Sequence, residues 1–294
     1  MAMAKRIENW PFSNALQSII FYTSATPHFS GMKNRIRQAR TAYRNRDVSE
    51  TKKVHTKAAI TKSVEEHKGA GSYVGDFIYG AIDGSVTTFA VVSGVAGASL
   101  SANIVIILGL ANLFADGFSM AVGNYLSTRS SNEFVQNERK REEWEVEHYP
   151  EGEVEEVRQI FRKKGFSGRG LESAVKTITS NNRVWVDTMM ADELGLAEER
   201  LSPFKKGMVT FVSFVLVGSI PLLSYFLSYF WHAVSSVAYL VSISLTFLAF
   251  FLIGSTKIYV TGKNWLTSGL ETLLLGGMAA VIAYMVGYGL RGIA

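Results

Sequence analysis

Between Tyr73 and Arg129, carboxylates, an amide, a methionine and many glycines sit inside two segments otherwise apolar enough to cross a bilayer, and that combination suits a path for a cation. The segments are YVGDFIYGAIDGSVTTFAVVSGVAG, Tyr73 to Gly97, and ANIVIILGLANLFADGFSMAVGNYLS, Ala102 to Ser127. Each exceeds the roughly 20 helical residues that a hydrocarbon core requires. Asp76 and Asp83 lie seven apart, hence on one helical face two turns from each other. Asn112, Asp116 and Met120 step by four, with Ser119, Gly123 and Ser127 close to the same stripe. A carboxylate at membrane depth is costly by about 2.5–3.5 kcal/mol on insertion scales, so it normally faces a bundle interior or a wet cavity where it serves ions or protons. A headgroup position suits Asp76, only a few residues in, better than Asp83 or Asp116. Gly80 and Gly84 form a small-xxx-small pair beside Asp83, which lets another backbone come close.

A second group of carboxylates lies in the polar stretch from Thr128 to Lys205, where ten of the residues between Thr128 and Glu156 are glutamates. Seventy-eight residues between two spans is too long for a structureless loop, so a small helical domain is expected. Pro150 and Gly152 break its first helix and make a hairpin. Glu142 and Glu145 share a face of the first arm, Glu153 and Glu156 a face of the second, and VWVDTMMADELGL adds Met189, Met190 and Glu193 on a later helix. Two readings stand side by side. Four or five carboxylates gathered at a point require a divalent cation such as Mn²⁺ or Fe²⁺, with thioether sulfur favouring softer ions. Alternatively, the glutamates form a solvated face paired with Arg139, Lys140 and Arg141. Trp144 and Trp185 are expected to anchor the hairpin core. Glu145 and His148 make a single ExxH step, whereas a di-iron oxidase needs two together with further glutamates.

The elements that must position these residues are helices. Three more apolar segments follow the insert, about Lys206 to Leu227, Ala233 to Thr256 and Thr267 to Leu290, giving five spans. The chain contains no cysteine, which excludes a disulfide framework, thiolate metal sites and cysteine nucleophiles. Its formal charge of +5 does not point to nucleic acid, because residues 1 to 70 hold 13 Lys/Arg against 5 Asp/Glu while residues 128 to 205 hold 13 against 16. A basic flank beside the first span marks the cytosolic side. The arm, the insert and the link carrying Lys257 and Lys263 then share that side, and the carboxyl terminus with Arg291 lies opposite. Within the arm, the run Trp10 to Tyr22 is too short and interrupted to span, and His28, His55 and His67 show no ligand spacing. Tyr225, Phe226, Tyr229, Phe230 and Trp231 read as an interfacial aromatic belt, Pro221 as a kink in the third span, and Glu271 as a charge near the start of the fifth.

Four motifs in order, DFIYGAIDGSVTTFAVVSG, GLANLFADGFSMAVGNYLS, ERKREEWEVEHYPEGEVEEV and WVDTMMADELGL, resemble the vacuolar iron transporter family, which includes the nodulin-21-like iron/manganese transporters. The resemblance runs from about Gly75 to the end of the chain and leaves the amino-terminal arm outside. It implies a homodimer that exports Fe²⁺ or Mn²⁺ from the cytosol in exchange for protons, with Zn²⁺ or Co²⁺ as further candidate cargo and no prosthetic group or enzymatic activity. By motif position it implies an intramembrane metal site at Asp83 and Met120 and a pore-entrance or proton-linked role for Asp76. It likewise implies metal capture by Glu142, Glu145, Glu153, Glu156, Met189, Met190 and Glu193. Plant and protist members often carry glutamate where this chain has Asn112. An amide coordinates a cation but carries no proton, which leaves the proton stoichiometry open and makes Asp116, one turn along, the candidate substitute.

The expected molecule is therefore an all-α integral membrane protein with five transmembrane helices and a cytosolic helical metal-binding domain inserted between helices 2 and 3. Its divisions are a basic cytosolic arm at 1–70, spans 1 and 2 at 71–127, the insert at 128–205 and spans 3 to 5 at 206–294. Its partners are divalent metal ions, protons, the lipid bilayer and a second copy, without nucleic acid. The membrane is the inner membrane of a prokaryotic cell or the vacuolar membrane of a eukaryotic one. A membrane-anchored metal sensor or store is the alternative from another class.

Overall fold

The computed structural model describes residues 38–39, 41–43, 45–57, 70–196, 201–231, 236–257 and 264–292. The run Trp10 to Tyr22, His28, His67 and Lys263 lie outside the described residues.

The chain divides into two units, Met1–Lys68 and Gly69–Ala294. In the first, helix α1 (Val48–Val54) begins at Asp47, whose carboxylate accepts hydrogen bonds from the backbone N–H groups of Ser49 and Glu50. Such a cap satisfies donors that the first turn leaves open.

The second unit is built from helices, and no strand occurs among its described residues. Helix α2 (Ala70–Gly97) is followed after a four-residue turn by α3 (Ala102–His148). Four short elements come next: α4 (Pro150–Lys163), α5 (Gly168–Thr179), α6 (Asn182–Thr188) and a π-helical turn, Met189–Glu193. The chain then returns through α7 (Pro203–Gly218), α8 (Ile220–Phe230), α9 (Ala238–Thr256) and α10 (Trp265–Gly289).

Helices α2, α3, α9 and α10 are each long and apolar enough to cross a membrane, and α7 with α8 supplies a fifth crossing if that pair is one span bent by 45° at Ser219. The bend stands where Pro221 was expected to kink the third span. Proline gives up a backbone donor and its ring clashes with the preceding turn, so the helix restarts there. The chain is thus a multi-pass membrane protein in which α2 is the central staff, packed against α7, α10, α3 and α9.

Small residues make those contacts possible. A side chain at Gly80 would strike the carbonyl of Thr210 at 2.5 Å, and one at Gly84 the carbonyl of Phe214 at 2.5 Å, so α2 and α7 meet backbone to backbone. Around this seam Phe89, Val92, Val105, Leu222 and Phe250 form the apolar core between the spans.

Two expectations about aromatic residues need correction. Trp144 is 58% exposed and stacks on His148, because the inward face of α3 is set by Glu142 and Val146 and a residue two positions from each points the other way. Trp185 is buried as expected. Tyr225 is likewise buried in the inter-span core, whereas Phe226, Tyr229, Phe230 and Trp231 of the same cluster are exposed.

Candidate functional site

The glutamates of the insert are positioned by one unbroken helix. No break in the backbone marks the boundary expected near Thr128, since α3 runs from Ala102 through the second apolar segment to His148. The Tyr149 N–H still bonds the Glu145 carbonyl, and Pro150 opens α4 at a position where its missing N–H costs nothing. The hairpin closes over its own core of Val146, Val157, Ile160, Leu171, Val175, Trp185, Val186, Met189 and Met190. Gly165, at φ +94°, supplies the left-handed residue that lets the chain turn from α4 toward α5.

Beside this core Glu142, Glu145 and Glu153 converge, with one oxygen of each within 4.8 Å of the others. Glu142 is 1% and Glu153 6% exposed, and Oε2 of each is buried without a hydrogen-bond partner. Burying an unpaired carboxylate is expensive, and such a group protonates or recruits a cation. Accordingly burial pushes Glu142 up to about 7 against the pull of Arg141, with Glu193, Glu145 and Glu156 adding repulsion. Burial also lifts Glu153 to about 7, helped by Glu156, Glu142, Glu145 and Glu193. Glu193 is raised chiefly by burial and then by Glu156, so the electrostatics couple all five glutamates even though Glu156 and Glu193 are themselves exposed. Met189 and Met190, singled out as soft ligands, are buried in the hydrophobic core beneath.

Both readings of the glutamates find contacts here. Arg141 Nη2 lies 2.8 Å from Glu142 Oε1, and its Nη1 lies 2.9 Å from Glu145 Oε2. Arg139 pairs with Glu143 and Asp187 outside the cluster. No cation reaches Glu153 among the described residues, and this is what distinguishes the cluster from an ordinary solvated acidic face. Oxygen donors of this kind suit a hard or borderline divalent ion.

The polar groups between the spans form a second constellation. Asp76 does not face open water: Asn124 Nδ2 donates to its Oδ1 at 2.9 Å, Lys206 Nζ stands 3.6 Å from the same oxygen, and Oδ2 is buried and unpartnered. Asn124 also donates to Thr210 Oγ1 at 2.8 Å, so α2, α3 and α7 are joined by one polar knot. Asp83 and Asp116 are close enough to repel one another, and Asn112 Nδ2 is buried without a partner. Asp83, Asn112, Asp116 and Met120 are all half-buried, and Ser119 and Gly123, on the same side of α3 as Asn112 and Asp116, are exposed.

Asn124, Lys206 and Thr210 were not anticipated. Continuing the step of four from Asn112, Asp116 and Met120 lands on Asn124 and then Thr128, whose hydroxyl donates to Asn124 Oδ1 at 3.4 Å. Lys206 carries no such signal, since its proximity to Asp76 arises from packing of segments far apart in sequence.

The model of the VIT family matches residues 74–288 of the chain. A Vacuolar iron transporter of Toxoplasma gondii is 34% identical over 263 residues, 86% of this chain and 87% of that protein. The Plasmodium berghei protein of the same name is 32% identical over 262 residues, 87% of this chain and 96% of its own length. Vacuolar iron transporter 1 of Arabidopsis thaliana is 35% identical over 223 residues, 75% of this chain and 87% of its own.

Proposed function

The chain belongs to the VIT family, and from that premise we propose that it moves Fe²⁺ or Mn²⁺ out of the cytosol against a return flow of protons. The observation that carries this reading is the pair of buried, unpartnered carboxylate oxygens of Glu142 and Glu153, held on a helical hairpin whose first arm is the same helix that carries Asn112, Asp116 and Met120. Glutamates of the insert, on the cytosolic side, gather the ion. Asp83 and Met120 strip and pass it between the spans. Carboxylates vacated by the metal take up protons from the opposite side and return them to the cytosol. With an amide at Asn112, Asp116 is the proton carrier on α3.

A second copy completes the pore in this reading, because Asp116 stands beside exposed Ser119 and Gly123 on a side of α3 that one copy leaves partly uncovered. A carboxylate left against lipid is costly, whereas two such faces together enclose a polar path. The amino terminus and the insert are cytosolic in this reading, and the membrane is the vacuolar membrane of a eukaryotic cell or the inner membrane of a prokaryotic one.

Metal flux into proteoliposomes under an imposed proton gradient tests the proposal, comparing Fe²⁺, Mn²⁺, Zn²⁺, Co²⁺ and Ca²⁺. Gradient-driven uptake of Fe²⁺ or Mn²⁺, lost in Asp83→Ala with folding retained, is the expected result. Binding without flux would replace the transporter by a sensor or store, and wild-type flux in Asp83→Ala would remove Asp83 from the pore.

A further inference from the structure

We infer that Arg141 is a built-in competitor for the cation at the glutamate cluster: its guanidinium holds Glu142 and Glu145 in the metal-free protein and retires onto Glu138 when a divalent ion arrives. The inference rests on reading the cluster as a metal site. It comes from how one guanidinium is shared among three carboxylates of the same helix.

Glu138, Glu142 and Glu145 stand at three before, one after and four after Arg141. Arg141 Nη1 donates to both oxygens of Glu145, at 2.9 and 3.2 Å, and Nη2 lies 2.8 Å from Glu142 Oε1. On the other side Nε and Nη2 each reach Glu138 Oε2 at 3.1 Å. The planar fork is therefore already bonded at its resting position, and leaving Glu145 breaks only the Nη1 contacts. A lysine ammonium, a single point charge, has no such second foothold.

What Arg141 leaves undone is equally informative. Its one positive charge reaches the α3 side of the cluster, while Oε2 of Glu142 and of Glu153 stay buried without any partner. A divalent ion placed among the three carboxylates satisfies those oxygens and must take from Arg141 the oxygens it holds. Half of the arginine side chain, 45%, is exposed, so it has room to swing. The consequence is an affinity set below what the carboxylates alone would give. That suits a site which must release its ion onward, because Arg141 stands ready to refill Glu142 and Glu145 as the metal departs.

The test measures Mn²⁺ binding to the full-length chain in lipid nanodiscs from the loss of the free-ion electron paramagnetic resonance signal, with the component abolished by Glu153→Gln assigned to the cluster. Arg141→Gln is expected to tighten that component roughly tenfold, the size of a charge-assisted hydrogen-bonded contact set free. Arg141→Lys, which keeps the charge without the fork, falls between it and the wild type, and remains informative should Arg141→Gln not fold. Lys140→Gln removes the same charge one residue away and is expected to shift binding by less than about twofold, as a solvent-screened charge does. Equal tightening in Arg141→Gln and Lys140→Gln would reduce the effect to general charge and overturn the inference, and weaker binding in Arg141→Gln would make Arg141 a mere support of the hairpin. If Glu153→Gln abolishes no component at all, the metal-site reading falls and takes this inference with it, a result distinct from the other two.

Discussion

At the scale of single residues, the two buried glutamates dictate how the insert responds to pH. Glu142 and Glu153 sit near 7 in the folded protein, above the 4.5 of a free glutamate. Their folded-state values are raised, so between about pH 4.5 and 7 the native state binds more protons than the unfolded one, and stability falls as pH rises through that window. Metal-free protein is therefore expected to unfold at a lower temperature at pH 8 than at pH 5.5. The double variant Glu142→Gln, Glu153→Gln should flatten that difference, and unchanged pH dependence in the double variant would show that other groups cause it. Bound metal acts in the opposite sense, because only the deprotonated carboxylates are ligands. Mn²⁺ affinity should drop as pH falls from 7 to 6, with up to about two protons released per ion bound, measurable by calorimetry in buffers of different ionisation enthalpy. The three-residue spacing of Glu142 with Glu145 already placed that pair on one face in the sequence. That Glu142 and Glu153 are buried while Glu156 and Glu193 are exposed was not legible, since burial depends on how the π-helical turn and α5 close over the hairpin, and neither advertises itself in the residue pattern.

At the scale of elements, the seam between α2 and α7 rests on glycines whose neighbours cannot retreat. An alanine at Gly84 puts its methyl 2.5 Å from the Phe214 carbonyl oxygen and 2.9 Å from the Phe214 Cα, both backbone atoms. The helices must separate, which costs about 1–3 kcal/mol as overpacking of a close contact. Gly123 has nothing within 4 Å of the same added methyl. Gly84→Ala is therefore expected to lower the thermal midpoint in detergent by several degrees, with Gly123→Ala within about a degree of wild type or above it, since alanine favours helix. Equal midpoints would mean that α2 and α7 are not held at this distance. The Gly80 and Gly84 pair and the Pro221 kink were legible because backbone approach and a missing donor are properties of the residue type itself. The continuity of α3 past Thr128 was not. Nothing in a helix changes where lipid gives way to water except the polarity of its side chains, so the change of composition at Thr128 carries no mark of whether the helix continues.

At the scale of the molecule, α3 is 47 residues long, which at 1.5 Å per residue is about 70 Å, more than twice a hydrocarbon core of roughly 30 Å. Its outer turns carry Glu142 and Glu145, and its membrane half carries exposed Phe114 and Phe118 on one side and Asp116 with exposed Ser119 and Gly123 on another. Only 22% of the most apolar window of α3 is buried within one copy, against 50% for α2. Lipid covers phenylalanine readily, yet a half-exposed aspartate at that depth costs several kcal/mol unless polar surface faces it. A second copy presenting the same face would supply that surface through a self-complementary two-fold contact, in which each residue near the axis meets its own counterpart. The absence of cysteine makes this testable in an otherwise native chain. Ser119→Cys in membranes should give a disulfide-linked dimer under mild oxidation, while Leu248→Cys, at an exposed position on a different helix, α9, should not. Cross-linking at Leu248 in preference to Ser119 would move the dimer contact to another face and leave Asp116 without the partner surface that the pore reading requires.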